Sequence, residues 1–441
     1  MAWLYSVATV VGFGSLISLS QNVADFFFAE THCYQGIRTN VAVDAGVNCF
    51  SVSSSGKFSK VFSVSSDSQL AETAHPGYAM PGLWDGHGHL LQYGEFLNSV
   101  NLFGSETMDE VRSRVHKYVD EHPGAGTAQE WIRGVGWDQM TLGAMPTAPQ
   151  RTDCYKADFA VDKDLKDLYI MLDRVDVHCI WVSQAVLDLL PEDLPDVPGG
   201  EIVRNPGMGV FCDNAVFSVM DLWPKPDNKK KAGFLKSAMK NLNQLGLVGM
   251  HDAGVNVGNL NLFKELVGSE DWTVRVYAMA EYYDRNAICP DPVERYNDPN
   301  GFLNIQSVKL FADGALGSWG SAMIDDYSDR PGVSGSLLVN ASELTYRAVS
   351  WATKGFQVNI HAIGDLANRY AVDAHVAALR LLCPCEPLAD CQARHRFRIE
   401  HSQIIHEDDQ ARMHAIGIIP SIQPTHATSD MAYAEQRLDQ Y

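Results

Sequence analysis

Short apolar runs alternate with longer amphipathic stretches through most of the chain. The runs lie at 81–89, 246–254, 273–282, 308–314, 358–365, 397–401 and 418–427, and the amphipathic stretches lie at 231–245, 341–354, 366–382 and 406–416. Short apolar runs are typical of buried strands, and apolar residues at helical spacing indicate helices that pack on one face. This order predicts an α/β fold in which seven strands of a parallel sheet are joined by helices.

The first run carries two histidines, His87 and His89, which are separated by one glycine. On an extended strand, residues two apart point to the same side, so both imidazoles can reach one metal ion. Taken alone, such a pair is more often part of an ordinary strand face than of a metal site. Three later runs bring Lys309, His361 and His401 to strand ends, where (β/α)8 TIM barrels present side chains at the barrel mouth. Together these residues predict a metal site at that mouth.

Five segments carry a resemblance to a known family. They are PGLWDGHGH (81–89), VKLFADGALGS (308–318), HAIGD (361–365), RIEHSQ (398–403) and SIQPTHA (421–427). In combination they resemble the amidohydrolase superfamily, in particular the branch of N-substituted formamide deformylases and YtcJ-like hydrolases (amidohydrolase family 3), over residues 24–441. The resemblance implies that His87 and His89 bind a first divalent metal and that His361 and His401 bind a second. It also implies that Lys309 bridges the two metals once it is carboxylated, and zinc is the expected metal, as one ion or two.

The chemistry of a buried lysine agrees with the bridging role of Lys309. An ammonium group beside a dication is costly, but a neutral amine there can take up CO₂ and become an anionic carbamate that binds two metals. Two alternatives remain open, namely an ion pair with Asp313 and a side chain that extends from the strand end into solvent.

The chain is expected to have four parts. Residues 1–22 are predicted to be a signal peptide, because residues 2–19 carry no charge, and they indicate the secretory pathway. A membrane anchor, or an apolar segment of a cytoplasmic protein, is the alternative. Residues 23–80 predict a small β domain with a hairpin at Ser55 and Gly56. Residues 81–104 and 232–441 form the predicted barrel, and residues 105–231 form an insertion.

An insertion of this length is unusual unless it has a function, and the resemblance places it over the barrel mouth as a substrate-covering subdomain. Within it, Trp137 and His178 are candidates for substrate contact. The alternative is that they form part of the insertion's own core. Ser318 and Trp319, which follow the Lys309 strand, are further candidates for substrate contact.

Two residues are candidates for catalytic roles. His426 lies near the end of the seventh run, where it would stabilise a developing oxyanion or hydrogen-bond to a metal ligand. Asp365, four residues after His361, is expected to orient a neighbouring group.

One departure from the resembled family concerns an eighth strand. In that family a later strand ends in a Gly-Ser-Asp motif, whose aspartate binds metal and transfers a proton to the leaving group. This chain shows seven runs, so proton delivery to the leaving amine has no assigned residue. A truncated, catalytically incomplete protein that keeps its metal ligands is therefore the alternative to an active enzyme.

Charge and composition argue against some classes of partner and of catalytic mechanism. The formal net charge of −20 argues against nucleic acid or an anionic membrane as partner, and it favours neutral or cationic small molecules. The sequence has no Gly-x-Ser-x-Gly nucleophile motif and no membrane span is expected. The predicted function is metal-dependent hydrolysis of the C–N bond of a small-molecule amide, such as an N-substituted formamide, by hydroxide formed at the metal. A homo-oligomer is compatible with these data.

Three cysteines, Cys383, Cys385 and Cys391, lie in a proline-containing loop between predicted strands. They predict a disulfide. A zinc knuckle is the disfavoured alternative, because no histidine follows at useful spacing until His395.

Overall fold

The structure is a computed structural model that describes residues 30–38, 46–65, 68–69, 74–148, 159–282 and 293–439. The chain forms two compact units, one that ends at Leu83 and one that begins at Trp84. The predicted signal peptide, residues 1–22, lies outside the described residues. Among the helices that are described, none is long and apolar enough to cross a membrane.

The first unit contains a four-stranded sheet with the order β3-β2-β1-β4. Its strands are β1 Glu30–Ile37, β2 Cys49–Val52, β3 Phe58–Phe62 and β4 His75–Ala79. The hairpin predicted at Ser55 and Gly56 connects β2 to β3, and Gly56 has a φ of 73°, which favours glycine. A disulfide joins Cys33 to Cys49, which are paired residues of neighbouring strands.

The second unit is built on a nearly closed parallel barrel with the strand order β18-β17-β16-β15-β13-β12-β5. Its seven strands are β5 Leu83–Gly88, β12 Leu247–Asn256, β13 Arg275–Glu281, β15 Leu303–Phe311, β16 Gln357–Ala362, β17 Arg398–His401 and β18 Ile419–Ser421. A short strand, β14 Tyr296–Asn297, pairs antiparallel with β15. Strands β5 and β18 are the two edges of this sheet within the described residues. The predicted fold class is confirmed.

Helices follow most barrel strands. The helices are α1 Leu90–Leu97, α2 Met108–Glu121, α3 Gln139–Leu142, α4 Gln184–Leu187, α5 Phe217–Met220, α6 Asn228–Gln244, α7 Val257–Leu266, α8 Ala341–Thr353, α9 Asp365–Leu382, α10 Leu388–His395, α11 Glu407–Ile416, α12 Thr425–Ser429 and α13 Met431–Leu438. The four predicted helices correspond to α6, α8, α9 and α11. The predicted strand 418–427 is too long, because the chain turns into α12 after Ser421 and Pro424 cannot donate to a sheet.

A six-stranded sheet is inserted between β5 and β12, with the order β10-β11-β9-β8-β7-β6. Its strands are β6 Val100–Asn101, β7 Ile132–Trp137, β8 Ile170–Arg174, β9 Cys179–Val182, β10 Gly200–Val203 and β11 Val210–Asp213. Every residue of β7, β8, β9 and β11 is buried, because separate apolar clusters cover the two faces of the sheet. A disulfide joins Cys179 to Cys212 across β9 and β11. The inserted sheet begins at Val100, slightly before the predicted boundary at residue 105.

The contact between α1 and α6 depends on a glycine. A Cβ atom at Gly94 would lie 2.1 Å from the carbonyl oxygen of Phe234, a backbone atom that cannot move aside alone. Gly94→Ala is therefore expected to lower the free energy of unfolding by about 1–3 kcal/mol, since the two helices must separate. Gly233→Ala, on the exposed side of α6 with no atom within 4 Å of the new methyl group, is the control. It should raise stability by about 0.5–1 kcal/mol. Denaturant unfolding measures both changes, and equal stability of the two variants would contradict the close packing.

Candidate metal centre

The structure brings the four predicted histidines together at the carboxyl ends of β5, β16 and β17. The ring of His401 lies 4.6 Å from that of His87 and 4.5 Å from that of His361, measured between ring centroids. His89, directly after β5, has its ring 5.6 Å from that of His87. Parallel strands end at the same edge of a sheet, so short local segments that are far apart in sequence meet here.

Lys309 lies in the same place, near the carboxyl end of β15. It is paired in register with Asn359, and two residues later Phe311 is paired with His361. Its side chain is buried, and its ammonium nitrogen lies 5.1 Å from the centre of the Phe311 ring. Burial is the main cause that lowers the pKa of His87, His89 and His401, and the positive charge of Lys309 lowers the pKa of each further. Lys309 is thus close enough to act electrostatically on three of the four imidazoles.

Two of the imidazoles are oriented by hydrogen bonds. Nδ1 of His87 lies 2.5 Å from Oε2 of Glu400, and Nδ1 of His401 lies 2.8 Å from Oε1 of Gln423. Carboxylate and amide oxygens only accept, so both Nδ1 atoms carry the proton and Nε2 keeps a lone pair for a metal. Burial alone would raise the pKa of Glu400, but hydrogen bonds from His87 and Arg398 hold it well below its usual range. Glu400 is therefore an ionised acceptor.

His361 packs against the loop that follows β15. Its Nε2 atom lies 3.5 Å from the carbonyl oxygen of Gly314 and 3.5 Å from Oδ1 of Asp313. Both carboxylate oxygens of Asp313 accept backbone N–H groups, from Ile363 on one side and from Ala322 and Gly364 on the other. Asp313 thereby fastens the loop after β15 to the end of β16.

The residues of this cluster fit divalent metals. Burial lowers the pKa of His87, His89 and His401 and so favours their neutral form, which is the form that binds metal. Within the described residues, no three of the four imidazoles have nitrogen atoms within 4.8 Å of one another. Four imidazoles on neighbouring strand ends, with the buried Lys309 on the strand beside them, form a donor set that suits a divalent metal.

A comparison with known families shows to which protein family this chain belongs. The model of the amidohydrolase family matches residues 74–441. The chain belongs to the amidohydrolase family. This confirms the resemblance found in the sequence.

Curated relatives of this amidohydrolase are distant. It is 24% identical over 426 residues to the putative amidohydrolase YtcJ of Bacillus subtilis. The aligned region covers 93% of this chain and 74% of that protein. It is also 24% identical to the protein LONG AFTER FAR-RED 3 of Arabidopsis thaliana, over 87% of this chain and 65% of that protein.

Solved structures show the same fold. A crystal structure of an uncharacterized metal-dependent hydrolase from Pyrococcus furiosus aligns with a TM-score of 0.64 at 24% identity, over 93% of this chain and 80% of that one. Another, from Pyrococcus horikoshii OT3, aligns with a TM-score of 0.66 at 22% identity, over 92% of this chain and 77% of that one.

The amidohydrolase barrel places two carboxylates near the cluster that sequence analysis did not single out. Asp252, on β12, is buried, and its Oδ2 atom has no hydrogen-bond partner among the described residues. Burial raises the pKa of Asp252 well above its usual range, and the charge of Glu281 raises it further. Glu281 and His89 both border Gly254 and therefore lie close to each other. A Cβ atom built at Gly254 would be 2.2 Å from Oε2 of Glu281 and 3.7 Å from Cε1 of His89. Both carboxylates lie near the carboxyl ends of short apolar runs, the same signal that identified the histidines.

The inserted sheet of this amidohydrolase brings one predicted substrate residue to the cluster. The ring of His178 lies 5.8 Å from that of His361, and its Nδ1 atom lies 2.8 Å from Oδ1 of Asp213. Ser318 also approaches Asp213, with its hydroxyl 3.5 Å from Oδ2. Ser318, Trp319 and Asp213 line a cavity of about 220 Å³.

Trp137 is placed differently. It is 1% exposed, lies in the core of the inserted sheet, and donates from its indole nitrogen to the carbonyl oxygen of Leu172. Trp137 therefore packs in the core of the inserted sheet and does not lie beside the four histidines.

The two candidate catalytic residues also differ in placement. The ring of His426, in α12, lies 5.9 Å from that of His401, so it borders the cluster. Asp365 is buried at the start of α9, where Oδ1 accepts the N–H groups of Ile324 and Leu366. Its carboxylate connects the segment after β15 to the start of α9.

Backbone strain marks the edge of the cluster. His401 has a φ of 74° and Ser402 a φ of 45°, in the left-handed region that non-glycine residues rarely adopt. Such positions cost about 1–3 kcal/mol each and persist where the surroundings impose them, which is common at functional sites. Here the bond between His401 and Gln423 fixes the turn of the chain after β17.

Proposed function

We propose that this amidohydrolase is a metal-dependent hydrolase of C–N bonds in small amides, with N-substituted formamides as its substrate class. The observation that supports it is the cluster of His87, His89, His361 and His401 around the buried Lys309. Neutral imidazoles and an anionic carbamate are ligands that suit zinc.

His87 and His89 would hold one ion, His361 and His401 a second, and carboxylated Lys309 would connect them. When bound, the ions lower the pKa of water and polarise the carbonyl group that is attacked. The fixed bonds of His87 to Glu400 and of His401 to Gln423 keep the ligand nitrogen atoms directed at the site.

The remaining residues would bind and orient the substrate. His178 is held by Asp213 and directs Nε2 away from that carboxylate, and Ser318 and Trp319 line the adjoining cavity. His426 would stabilise negative charge on the carbonyl oxygen. Asp252 and Glu281 are the described carboxylates to test for transfer of a proton to the leaving amine, since they lie near Lys309 and His89.

The decisive experiment is elemental analysis of the purified chain with a formamide-hydrolysis assay on the same samples. The parent is expected to hold one or two equivalents of zinc, and His87→Ala and His401→Ala are expected to lose metal and activity together. His116→Ala, a surface histidine paired with Asp162, is the control that should keep both. A chain that binds no metal would refute the proposal. A chain that binds zinc but hydrolyses no amide of a C–N panel would favour the catalytically incomplete alternative.

Glu400→Gln tests the orientation of His87. The amide cannot provide the same charged acceptor for Nδ1–H, so zinc affinity is expected to fall about 10–100-fold. Competition with a chromophoric chelator measures this change. Glu386→Gln, which changes an exposed carboxylate paired with Arg394, is the control. Unchanged zinc affinity in Glu400→Gln would show that the bond between Glu400 and His87 does not support a metal ligand.

A further inference from the structure

A second group of metal-capable side chains lies at the junction of α9 and α10, away from the barrel ligands in sequence. Cys383 directly follows α9, and Cys391 and His395 lie in α10. Cys391 and His395 are four residues apart and therefore share one face of that helix. The two sulfur atoms and an imidazole nitrogen of His395 all lie within 4.8 Å of one another.

In the structure, Cys383 and Cys391 form a disulfide. Their side chains are almost fully buried, whereas His395 is half-buried and borders the solvent. A guanidinium nitrogen of Arg394 lies 3.4 Å from the sulfur of Cys383, where its charge favours a thiolate over a thiol. Arg394 is 56% exposed and also pairs with Glu386, so it can turn away when a cation binds.

This arrangement differs from the other two described disulfides. Cys33–Cys49 and Cys179–Cys212 each join paired strands of a sheet. Among the described residues, neither has a third histidine, aspartate or glutamate ligand atom within 4.8 Å of both sulfurs. A third ligand therefore distinguishes the α9–α10 junction, and the other pairs serve as internal controls.

We propose that Cys383, Cys391 and His395 bind one Zn²⁺ ion when their disulfide is reduced. A dithiol reductant supplies two electrons and two protons, which leaves two thiols on the chain and a disulfide on the reductant. Zinc then displaces the two thiol protons to solvent, and His395 binds through a neutral nitrogen without any further redox change. Three protein ligands leave one tetrahedral position for water, so the ion should exchange readily.

The proposal is independent of the barrel site, since the two share no residue. A site of this kind would make the α9–α10 junction respond to the redox state of the compartment. In an oxidising compartment the two cysteines remain a covalent link, and in a reducing one they become metal ligands.

Cobalt(II) provides a test that separates the two sites. Thiolate ligands give Co²⁺ an intense charge-transfer band in the near ultraviolet, and the histidine and lysine cluster contains no sulfur. The full chain carrying Cys385→Ser, which removes the exposed free thiol, is reduced with a phosphine and titrated with Co²⁺. Once the barrel cluster is filled, one further equivalent of Co²⁺ per chain should produce the band, and excess Zn²⁺ should remove it. The oxidised chain should show no band.

Variants complete the test. Cys391→Ser should abolish the band, and His395→Ala should weaken Co²⁺ binding at least tenfold. Cys179→Ser should leave the band unchanged, which excludes unspecific binding by reduced or unfolded chain. Zinc should also slow alkylation of Cys383 and Cys391 in the reduced chain, as read by peptide mass spectrometry. Absence of the band, or equal losses in Cys391→Ser and Cys179→Ser, would overturn the proposal.

Discussion

Lys309→Ala is expected to remove zinc from the barrel and to reduce amide hydrolysis about a thousandfold, which corresponds to about 4 kcal/mol of transition-state stabilisation. The physical reason is that Lys309 lies close enough to act electrostatically on His87, His89 and His401, and its proposed carbamate would supply negative charge to the bound metal. Alanine removes this anionic ligand and leaves the imidazoles without it. Zinc content and initial rates on the same preparation measure both effects.

The control for this variant is Lys354→Ala, which removes a lysine that lies over the ring of Trp351 outside the cluster. The carbamate itself is tested by reconstitution of metal-free protein. Added bicarbonate should speed recovery of activity, and carbon-13 bicarbonate should give a carbamate signal in the parent that Lys309→Ala lacks. Full zinc content in Lys309→Ala would contradict the bridging role.

Arg398→Met is expected to lower the free energy of unfolding by about 3–5 kcal/mol. Arg398 is buried on β17, and its Nε atom donates to Oε1 of Glu400 at 2.7 Å. A terminal nitrogen donates to the carbonyl oxygen of Gly86 on β5 at 2.7 Å and to the hydroxyl of Ser421 on β18 at 2.6 Å. One guanidinium thus connects both edge strands of the barrel. Methionine removes these bonds and leaves the carboxylate of Glu400 buried without its cationic partner.

The titration of Glu400 determines how the stability difference between Arg398→Met and the parent changes with pH. Its folded-state pKa is depressed, so its contribution to stability is present above its unfolded value of about 4.5 and is lost as the pH falls towards the folded value. Without Arg398 the folded-state pKa of Glu400 rises, and protonation relieves the buried charge. The deficit of Arg398→Met relative to the parent should therefore shrink as the pH is lowered.

Denaturant unfolding at neutral and mildly acidic pH measures this prediction. Arg394→Met is the control, because its ion pair with Glu386 is exposed and should matter little. A deficit in Arg398→Met that is no larger than in this control would show that the barrel edges do not depend on the guanidinium.

Local patterns were enough to predict much of the barrel. The apolar runs and the helices α6, α8, α9 and α11 depend on spacing within about twenty residues, and that spacing survives in the folded protein. The convergence of His87, Lys309 and His401 was predictable because parallel barrel strands end at one mouth.

Partners that belong to distant elements were not predictable in the same way. The bond between His87 and Glu400 joins residues 313 positions apart, and Glu400 reads as an ordinary charged residue before His401. Asp252 was overlooked because a single aspartate near the end of an apolar run has many structural roles. Trp137 shows the converse limit, since an aromatic side chain in an insertion packs in its own core as readily as it contacts a ligand.

The inserted sheet fixes His178 by covalent means. Cys179 and Cys212 are joined by a disulfide, and the residues next to them, His178 and Asp213, are the pair that meets beside His361. The crosslink holds both chain segments side by side in the free protein, so the proposed contact of this imidazole with substrate would lose little conformational entropy. Sequence changes elsewhere in the insertion can then alter its surface while this imidazole keeps its place.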